Sequence, residues 1–329
     1  MIIQEQKIAA SIANFAFKDN IPPYGVYHGK VADTDTSVWD RGRGWFSPRR
    51  WRRKAWIFLG AYTAELMVGF AIVDLGYIGN AFCYVYERAS NTYWEKEYMI
   101  PFGFGKNFHA RLEDHWELGP YQIWSEQGQW NFSYQHKKAE LLLQFTEPHQ
   151  GISAICPSSG KRPFHHTYKN LLLPTSIYFK NRQKEYKNTQ AMGSLDYSKG
   201  YPPRHTIWNW TSFMGKLEDG TPVGINTVNG FNEELENAIW IGGKIQRLGK
   251  MKYAPSTTPI EYTWLMKSKN ETLQLRLRPE GIRQQDIELK LMKSKFKQVF
   301  GPIKGQLYHQ DSWKKLEGYG VMEDHEALW

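Results

Sequence analysis

From Thr272 to Pro279 the chain reads Thr-Leu-Gln-Leu-Arg-Leu-Arg-Pro, with apolar and polar residues in strict alternation. Successive side chains on a strand point to opposite faces, so Leu273, Leu275 and Leu277 face one way and Gln274, Arg276 and Arg278 the other. Ile287, Leu289 and Leu291 alternate with Glu288 and Lys290 in the same manner. From Ala55 onward short runs of this kind recur about every ten residues, divided by Gly, Asn and Pro turns. That spacing points to antiparallel barrels or sandwiches rather than parallel units. Glu65 to Glu87 reads as two strands with a turn near Gly76 to Asn80. Long amphipathic helices are missing. A short lead helix is expected within residues 1–20, ended by Ile21-Pro22-Pro23-Tyr24-Gly25. Aromatic residues make up 15% of the chain, with 14 Trp, 19 Tyr and 17 Phe, and such side chains suit pleated sheets. The class is all-β.

A chain of 329 residues exceeds one ordinary core and fits two domains. A weak two-fold rhythm agrees: Gly-Tyr-Ile-Gly-Asn (76–80) and Gly-Ile-Asn-Thr-Val-Asn-Gly (224–230) each follow an aromatic, strand-like approach. Ser158 to Pro163 has the composition of a surface turn and places a boundary between Pro157 and Pro174. The net charge of +9 permits attraction to phosphates or an anionic surface without requiring either. Cys83 and Cys156 are too few for a disulfide framework and read as reduced thiols. The N-terminus lacks the basic start and apolar run of a secretion signal, and no stretch approaches the roughly 20 apolar residues that span a bilayer. A cytoplasmic protein is expected.

The common catalytic signatures are absent. There is no phosphate-cradling loop ending in Lys-Ser/Thr, no Gly-x-Ser-x-Gly elbow, no His-Glu-x-x-His helix and no paired Cys-x-x-Cys. Gly103-Phe104-Gly105 lacks the third glycine and helix of a dinucleotide site. His165 and His166 are adjacent, so on a strand they would point apart and not share an ion. No metal site and no cofactor are expected.

Three constellations carry the candidate chemistry. The first runs from Asp196 to Trp210, where one carboxylate is followed by Lys199, Arg204 and His205 across a rigid Pro202-Pro203 bend. On a strand, Arg204, Thr206, Trp208 and Trp210 share one face, with His205, Ile207 and Asn209 on the other. Two tryptophans beside a cation and an acid suit the wall of an apolar binding cavity; the plain alternative is a packed aromatic pair and an Asp196–Arg204 surface ion pair. The second is Gly224 to Gly230 with Glu236 and Asn237: Asn226 must find partners if it points inward, and Asn229-Gly230 equally suits a tight turn. The third is the C-terminus, Glu323-Asp324-His325-Glu326-Ala327-Leu328-Trp329, read chiefly as a closing turn plugged by Leu328 and Trp329, and as chemistry a carboxylate paired with His325 or with Arg204. A basic run, Arg49, Arg50, Arg52, Arg53 and Lys54, interleaves with Trp45, Phe46, Trp51 and Trp56. Basic residues among aromatics can bind nucleic acid or a membrane interface, and as often stack on neighbouring rings.

Together these pieces resemble the bacterial domain-of-unknown-function family numbered 2804. The anchors are Asp196-Tyr197-Ser198-Lys199-Gly200 with Pro203-Arg204-His205-Thr206 and Trp208-Asn209-Trp210; Gly224-Ile225-Asn226 with Gly230 and Glu236-Asn237; and Gly320-Val321-Met322-Glu323-Asp324-His325 with Trp329. Lys54-Ala55-Trp56 and Leu75 to Gly79 support them, whereas Thr167-Tyr168-Lys169 departs from the Thr-Gln-Lys expected there. The family is distantly similar to two-barrel, lipocalin-like proteins that include carotenoid hydratases, tocopherol cyclases and some Diels–Alder cyclases. The resemblance implies two antiparallel lipocalin-like (calycin-type) β-barrels packed together, with few short helices. The expected division is a lead segment 1–40, a first β-barrel domain 41–170 and a second 171–329.

The expected function is binding of an apolar or amphipathic small molecule, a lipid, polyprenyl or polyketide-like compound, in a barrel or inter-barrel cavity. As an enzyme the chain would be a cofactor-independent hydratase, cyclase or isomerase. Asp196 is the expected general acid, made a proton donor by desolvation against the tryptophans, with Tyr197 and His205 beside it. Arg204, Trp208, Trp210, Asn226, Asn229, Glu236, Asn237, Glu323 and His325 are the expected ligand-binding residues. The alternatives are a non-catalytic carrier or sensor with the same cavity, and a peripheral membrane or nucleic-acid binder acting through Arg49 to Lys54; weak membrane-surface contact fits the charge better than nucleic acid.

Overall fold

The computed structural model describes residues 8–9, 22–31, 33–36, 51–101, 106–108, 115–158, 164–232, 235–254, 263–289 and 292–329. The expected lead helix, the Ser158 to Pro163 turn apart from Ser158, Trp45, Phe46, Arg49, Arg50, Lys290 and Leu291 lie outside or almost wholly outside these residues. The chain divides into two compact units, Ala10–Pro202 and a second made of Met1–Ala9 with Pro203–Trp329.

The first unit holds β1 (Gly25–His28), β2 (Lys54–Tyr62), β3 (Leu66–Asp74), β4 (Ile78–Glu87), β5 (Thr92–Pro101), β6 (Lys106–Phe108), β7 (Trp116–Leu118), β8 (Tyr121–Glu126), β9 (Gln129–His136), β10 (Ala139–Thr146), β11 (Ile152–Pro157), β12 (Phe164–Asn181) and β13 (Glu185–Gly200). The second holds β14 (His205–Leu217), β15 (Pro222–Asn229), β16 (Ala238–Ile241), β17 (Lys244–Arg247), β18 (Met251–Ala254), β19 (Trp264–Ser268), β20 (Leu273–Leu277), β21 (Gly281–Leu289), β22 (Met292–His309) and β23 (Ser312–Leu328). Each set forms one curled antiparallel sheet, in the order β5-β4-β3-β2-β13-β12-β10-β9-β8-β7-β6 and β17-β16-β15-β14-β23-β22-β20-β19-β18 respectively. Among the described residues no helix is long and apolar enough to cross a membrane.

The two units repeat one topology. Each opens with a four-strand meander, β2–β5 or β14–β17, and continues through a second meander, β8–β10 or β18–β20. Two long strands then lie side by side, β12 with β13 and β22 with β23, and the last pairs with the first strand of the opening meander. The penultimate strand also carries a side strand, β11 or β21. The two glycine-marked segments of the sequence rhythm occupy equivalent places, the turn between β3 and β4 and the one that begins at Gly230 between β15 and β16.

One face of each sheet turns inward on its own core. The first core contains Phe70, Trp116, Tyr121, Phe132, Leu143 and Leu195, with Phe70 edge-on to both Tyr121 and Phe132 at 5.5 and 5.6 Å. The second contains Phe213, Ile225, Met266, Leu275, Val299 and Met322. The three leucines of β20 all lie in it, whereas Gln274 and Arg276 are exposed, as the alternation requires. Tyr253 on β18 donates its hydroxyl hydrogen to the Thr227 carbonyl on β15 at 3.0 Å, drawing the two ends of the second sheet together. Cys83 and Cys156 are both buried.

The sequence places the division near residue 170, but β12 runs unbroken from Phe164 to Asn181 and the units part at Pro202 and Pro203. A proline has no N–H to donate to a ladder, so two in succession end β13 and start a new sheet. The C-terminus also differs from expectation: it is not a closing turn but the end of β23, laddered to β14 as far as Leu328. Gly230 serves a tight approach at φ +86, where an added Cβ would lie 2.5 Å from the Ile207 carbonyl oxygen. Gly230→Ala is expected to cost about 1–3 kcal/mol, measured as a lowered urea midpoint; an unchanged midpoint would show that the turn relaxes freely.

Candidate functional site

On β14 the faces alternate as the sequence requires. Phe213 and Leu217 enter the core, and Trp208, Trp210 and Ser212 occupy the opposite face. That opposite face is buried as well, with polar Ser212, Asn226, Gln298 and Glu323 set among apolar Met214, Phe300 and Val321. Across it the register aligns Trp210 with Glu323, Glu323 with Gln298, and Gln298 with Arg283. The adjacent row aligns Trp208, His325 and Phe296. Neighbours on strands sit about 5 Å apart, so the rows form one patch of polar groups lined by rings.

Glu323 is its centre, at 7% exposure. Its Oε1 accepts the Trp208 indole N–H at 2.8 Å and its Oε2 accepts the Gln298 amide at 3.0 Å. The His325 ring lies 4.1 Å from Trp208 and 5.1 Å, edge-on, from Phe296. Burial pushes the His325 imidazole down to about 3, with the Arg283 guanidinium adding to the effect. It is therefore neutral at physiological pH, and the 3.9 Å approach of its Nδ1 to Glu323 Oε1 is a polar contact rather than an ion pair. Its Nε2 lies 2.9 Å from the Ser294 hydroxyl. Arg283 sits over the Phe296 ring at 5.2 Å, and Trp329 stacks near Trp208 at 6.3 Å. Arg204 Nη1 donates to the Trp329 carbonyl at 3.0 Å and so ties this rim to the chain end.

Other expected residues separate. Trp210 Nε1–H donates to Asn226 Oδ1 at 2.9 Å, and Asn226 Nδ2 donates to the Glu236 carbonyl at 2.9 Å, which makes Asn226 a bridge on the Glu323 face. The Glu236 carboxylate accepts from Asn232 at 3.4 Å. Asn237 staples the backbone, accepting from Val228 N at 2.7 Å and donating to Gly249 O at 3.0 Å. Asn229 is three residues from Asn226 and falls on the opposite face, in register with Asn209. Asn209 in turn donates to Asp324 at 3.1 Å, a carboxyl that burial raises.

Asp196, Tyr197 and His205 do not form one cluster. Asp196 and Tyr197 are neighbours on β13 and face opposite ways. Tyr197 is fully buried in the first core and donates to the Thr34 hydroxyl at 3.2 Å. Asp196 accepts from the Lys169 ammonium at 2.5 Å, with both side chains buried. His205 is exposed on β14 of the other unit, with its Nε2 3.0 Å from Glu326. Of the basic run, Lys54 is buried rather than solvated: it donates to the Trp51 and Leu75 carbonyls at 2.7 and 2.8 Å and sits over the Tyr77 ring. Among the described residues no group of three His, Cys, Asp or Glu side chains could hold a metal ion. Gln298, Phe296 and Arg283 carry no signal in the sequence, each being a single polar or aromatic residue in an ordinary strand; only the register places Gln298 beside Glu323, Phe296 beside His325 and Arg283 beside Gln298.

Two curled antiparallel sheets of repeated topology define a two-barrel, lipocalin-like protein. The chain belongs to the family described as Domain of unknown function (DUF2804), which matches residues 20–329. A comparison with curated proteins finds no match. Among solved structures the chain is similar to kievitone hydratase from Nectria haematococca at 12% identity and TM-score 0.56, covering 93% of this chain and 98% of that one. It is similar to CghA at 9% identity and TM-score 0.55, covering 95% and 96%. An AttH candidate from Nitrosomonas europaea aligns at 11% identity and TM-score 0.50, covering 83% and 92%. At these identities the likeness is one of fold.

Proposed function

We propose that this protein binds an apolar or amphipathic small molecule, of lipid, polyprenyl or polyketide-like character, against the Trp208–His325–Phe296 face of its second unit. The observation that carries this reading is the buried Glu323 carboxylate, oriented by Trp208 and Gln298 among aromatic rings. An apolar wall with a few convergent polar groups is the usual make-up of a small-molecule site. Native mass spectrometry of freshly purified protein, followed by organic extraction, tests it. A bound mass in that size class is expected, with occupancy reduced about tenfold or more by Trp208→Ala. A ligand retained in full by Trp208→Ala would place the binding elsewhere, and an apo mass with no uptake from added lipid extract would remove the proposal.

Catalysis on the bound molecule, by addition of water or ring closure without a cofactor, is the second reading. It is favoured by a neutral imidazole beside an oriented carboxylate, a pair able to give and take protons. The fold likeness to a protein named as a hydratase agrees with it. In this reading Glu323 and His325 handle the proton, while Asp196, the acceptor of a lysine ammonium, holds an ion pair. Incubating the extracted molecule with protein in D2O distinguishes an enzyme from a carrier or sensor. An enzyme incorporates deuterium, and Glu323→Gln loses that uptake while still holding ligand; a carrier incorporates none.

A further inference from the structure

The duplication of topology extends to the side chains. In the second unit the strands β14, β23 and β22 present the row Trp210–Glu323–Gln298, with Trp208–His325–Phe296 beside it. The equivalent strands of the first unit, β2, β13 and β12, present Phe58–Asp196–Lys169, with Trp56–Ser198–Thr167 beside it. A carboxylate on the last strand thus faces a nitrogen donor on the penultimate strand in both units. An aromatic residue of the opening strand flanks each of them, and Trp56 matches Trp208. These residues lie on the face of the first sheet that turns away from its core, as in the second unit.

The patch in the first unit carries a feature that packing alone does not explain. Thr167 and Ser194 are buried, at 0% and 3% exposure, and neither side-chain hydroxyl has a hydrogen-bond partner. Both are on the Asp196 face, Thr167 two residues before Lys169 and Ser194 two residues before Asp196. They therefore bracket the ion pair along the strands. A buried hydroxyl without a partner is unfavourable, and valine or alanine would fill either place at no such cost. Lys169 and Asp196 neutralise one another, so the patch suits an uncharged oxygen rather than an anion.

We propose that this face of the first sheet is a second ligand site, which takes an apolar molecule bearing carbonyl oxygens, with Thr167 and Ser194 as hydrogen-bond donors on either side of the Lys169–Asp196 pair. Donors set apart along the strands favour a polyoxygenated, polyketide-like compound over a plain hydrocarbon chain. The site belongs to the other unit from the Glu323 patch, so its failure and that of the reading above are separately visible.

Chalcone, whose enone absorption moves to the red when its oxygen accepts a hydrogen bond, is the probe, with trans-stilbene as the control that lacks the carbonyl. Titration by difference spectroscopy is expected to show chalcone binding with a red shift. Of Thr167→Val and Ser194→Ala, the one that removes the hydroxyl engaged by chalcone's single carbonyl should weaken that binding about three- to tenfold, the loss of one hydrogen bond, and the double variant should show the same loss, with stilbene unchanged throughout. Both variants should unfold at the wild-type temperature or above, because no bond within the protein is removed. Equal binding of the two probes, a double variant that binds chalcone as the wild type does, or a lowered unfolding temperature would each overturn the proposal.

Discussion

Lowering the pH from 6.5 to 4.5 is expected to remove roughly 4–5 kcal/mol of folding stability. Two buried histidines account for it. Burial pushes His166 down to about 3, with Lys199 and Lys169 adding to the effect, and His325 down to about 3, with Arg283 adding. In the unfolded chain both return to an ordinary imidazole value near 6.5, so below that pH the unfolded state binds protons that the folded state refuses. Stability is accordingly full above about pH 6.5 and falls as the pH approaches 3. His165, also fully buried and lowered, acts in the same direction. Asp324, raised by burial, opposes it, since its folded form binds a proton more readily than its unfolded form. Denaturant titrations at four pH values between 7.5 and 4.5 measure the slope, and His166→Gln and His325→Gln should each reduce it. A stability curve flat across this window would mean that the imidazoles are reached by water.

Replacing Lys169 with methionine, or Asp196 with leucine, is expected to destabilise the protein by about 3–5 kcal/mol, because each single change leaves a buried charge without its partner. The double variant should recover most of that loss, since an apolar pair of similar volume carries no desolvation cost. The pair is well placed for such coupling, with side chains at 3% and 11% exposure and in direct register on β12 and β13. Equilibrium unfolding of the wild type, the two singles and the double gives the coupling energy. Additive singles would show that the two charges are solvated independently. The same reasoning bears on any activity assay of Asp196→Asn: it removes a charge partner as well as an acid, so lost turnover there is not by itself evidence of catalysis.

Much of the fold is legible in the sequence. Leu273, Leu275 and Leu277 mark β20 because a half-buried strand has to alternate, and the turn near Gly76 to Asn80 is legible as a break between two apolar runs, where Gly76 takes φ +81. The shared face of Trp208 and Trp210 came from the same rule. A Ser-, Gly- and Pro-rich stretch such as Ser158 to Pro163 resembles a linker whether it joins two domains or two strands, and the division between the compact units is marked in the sequence only by Pro202-Pro203. Reading the C-terminus as a turn weighed its charge density above its period of two, although Glu323 and His325 share a face for the same reason the tryptophans do.

The candidate site divides along the same line. Local periodicity places Trp208 and Trp210 on one face; the same count separates Asn229 from Asn226, which the expected ligand set joins, and unites Glu323 with His325 once their segment is a strand rather than a turn. It could not decide which strands would be neighbours. Gln298 meets Glu323 only through the β22–β23 ladder and Arg283 is aligned with Gln298 only through β21–β22, while Asp196 meets Lys169 rather than Arg204 only because β13 pairs with β12. Pairing across a sheet is set by burial and closure of the whole unit, a non-local free energy that no short stretch of sequence contains.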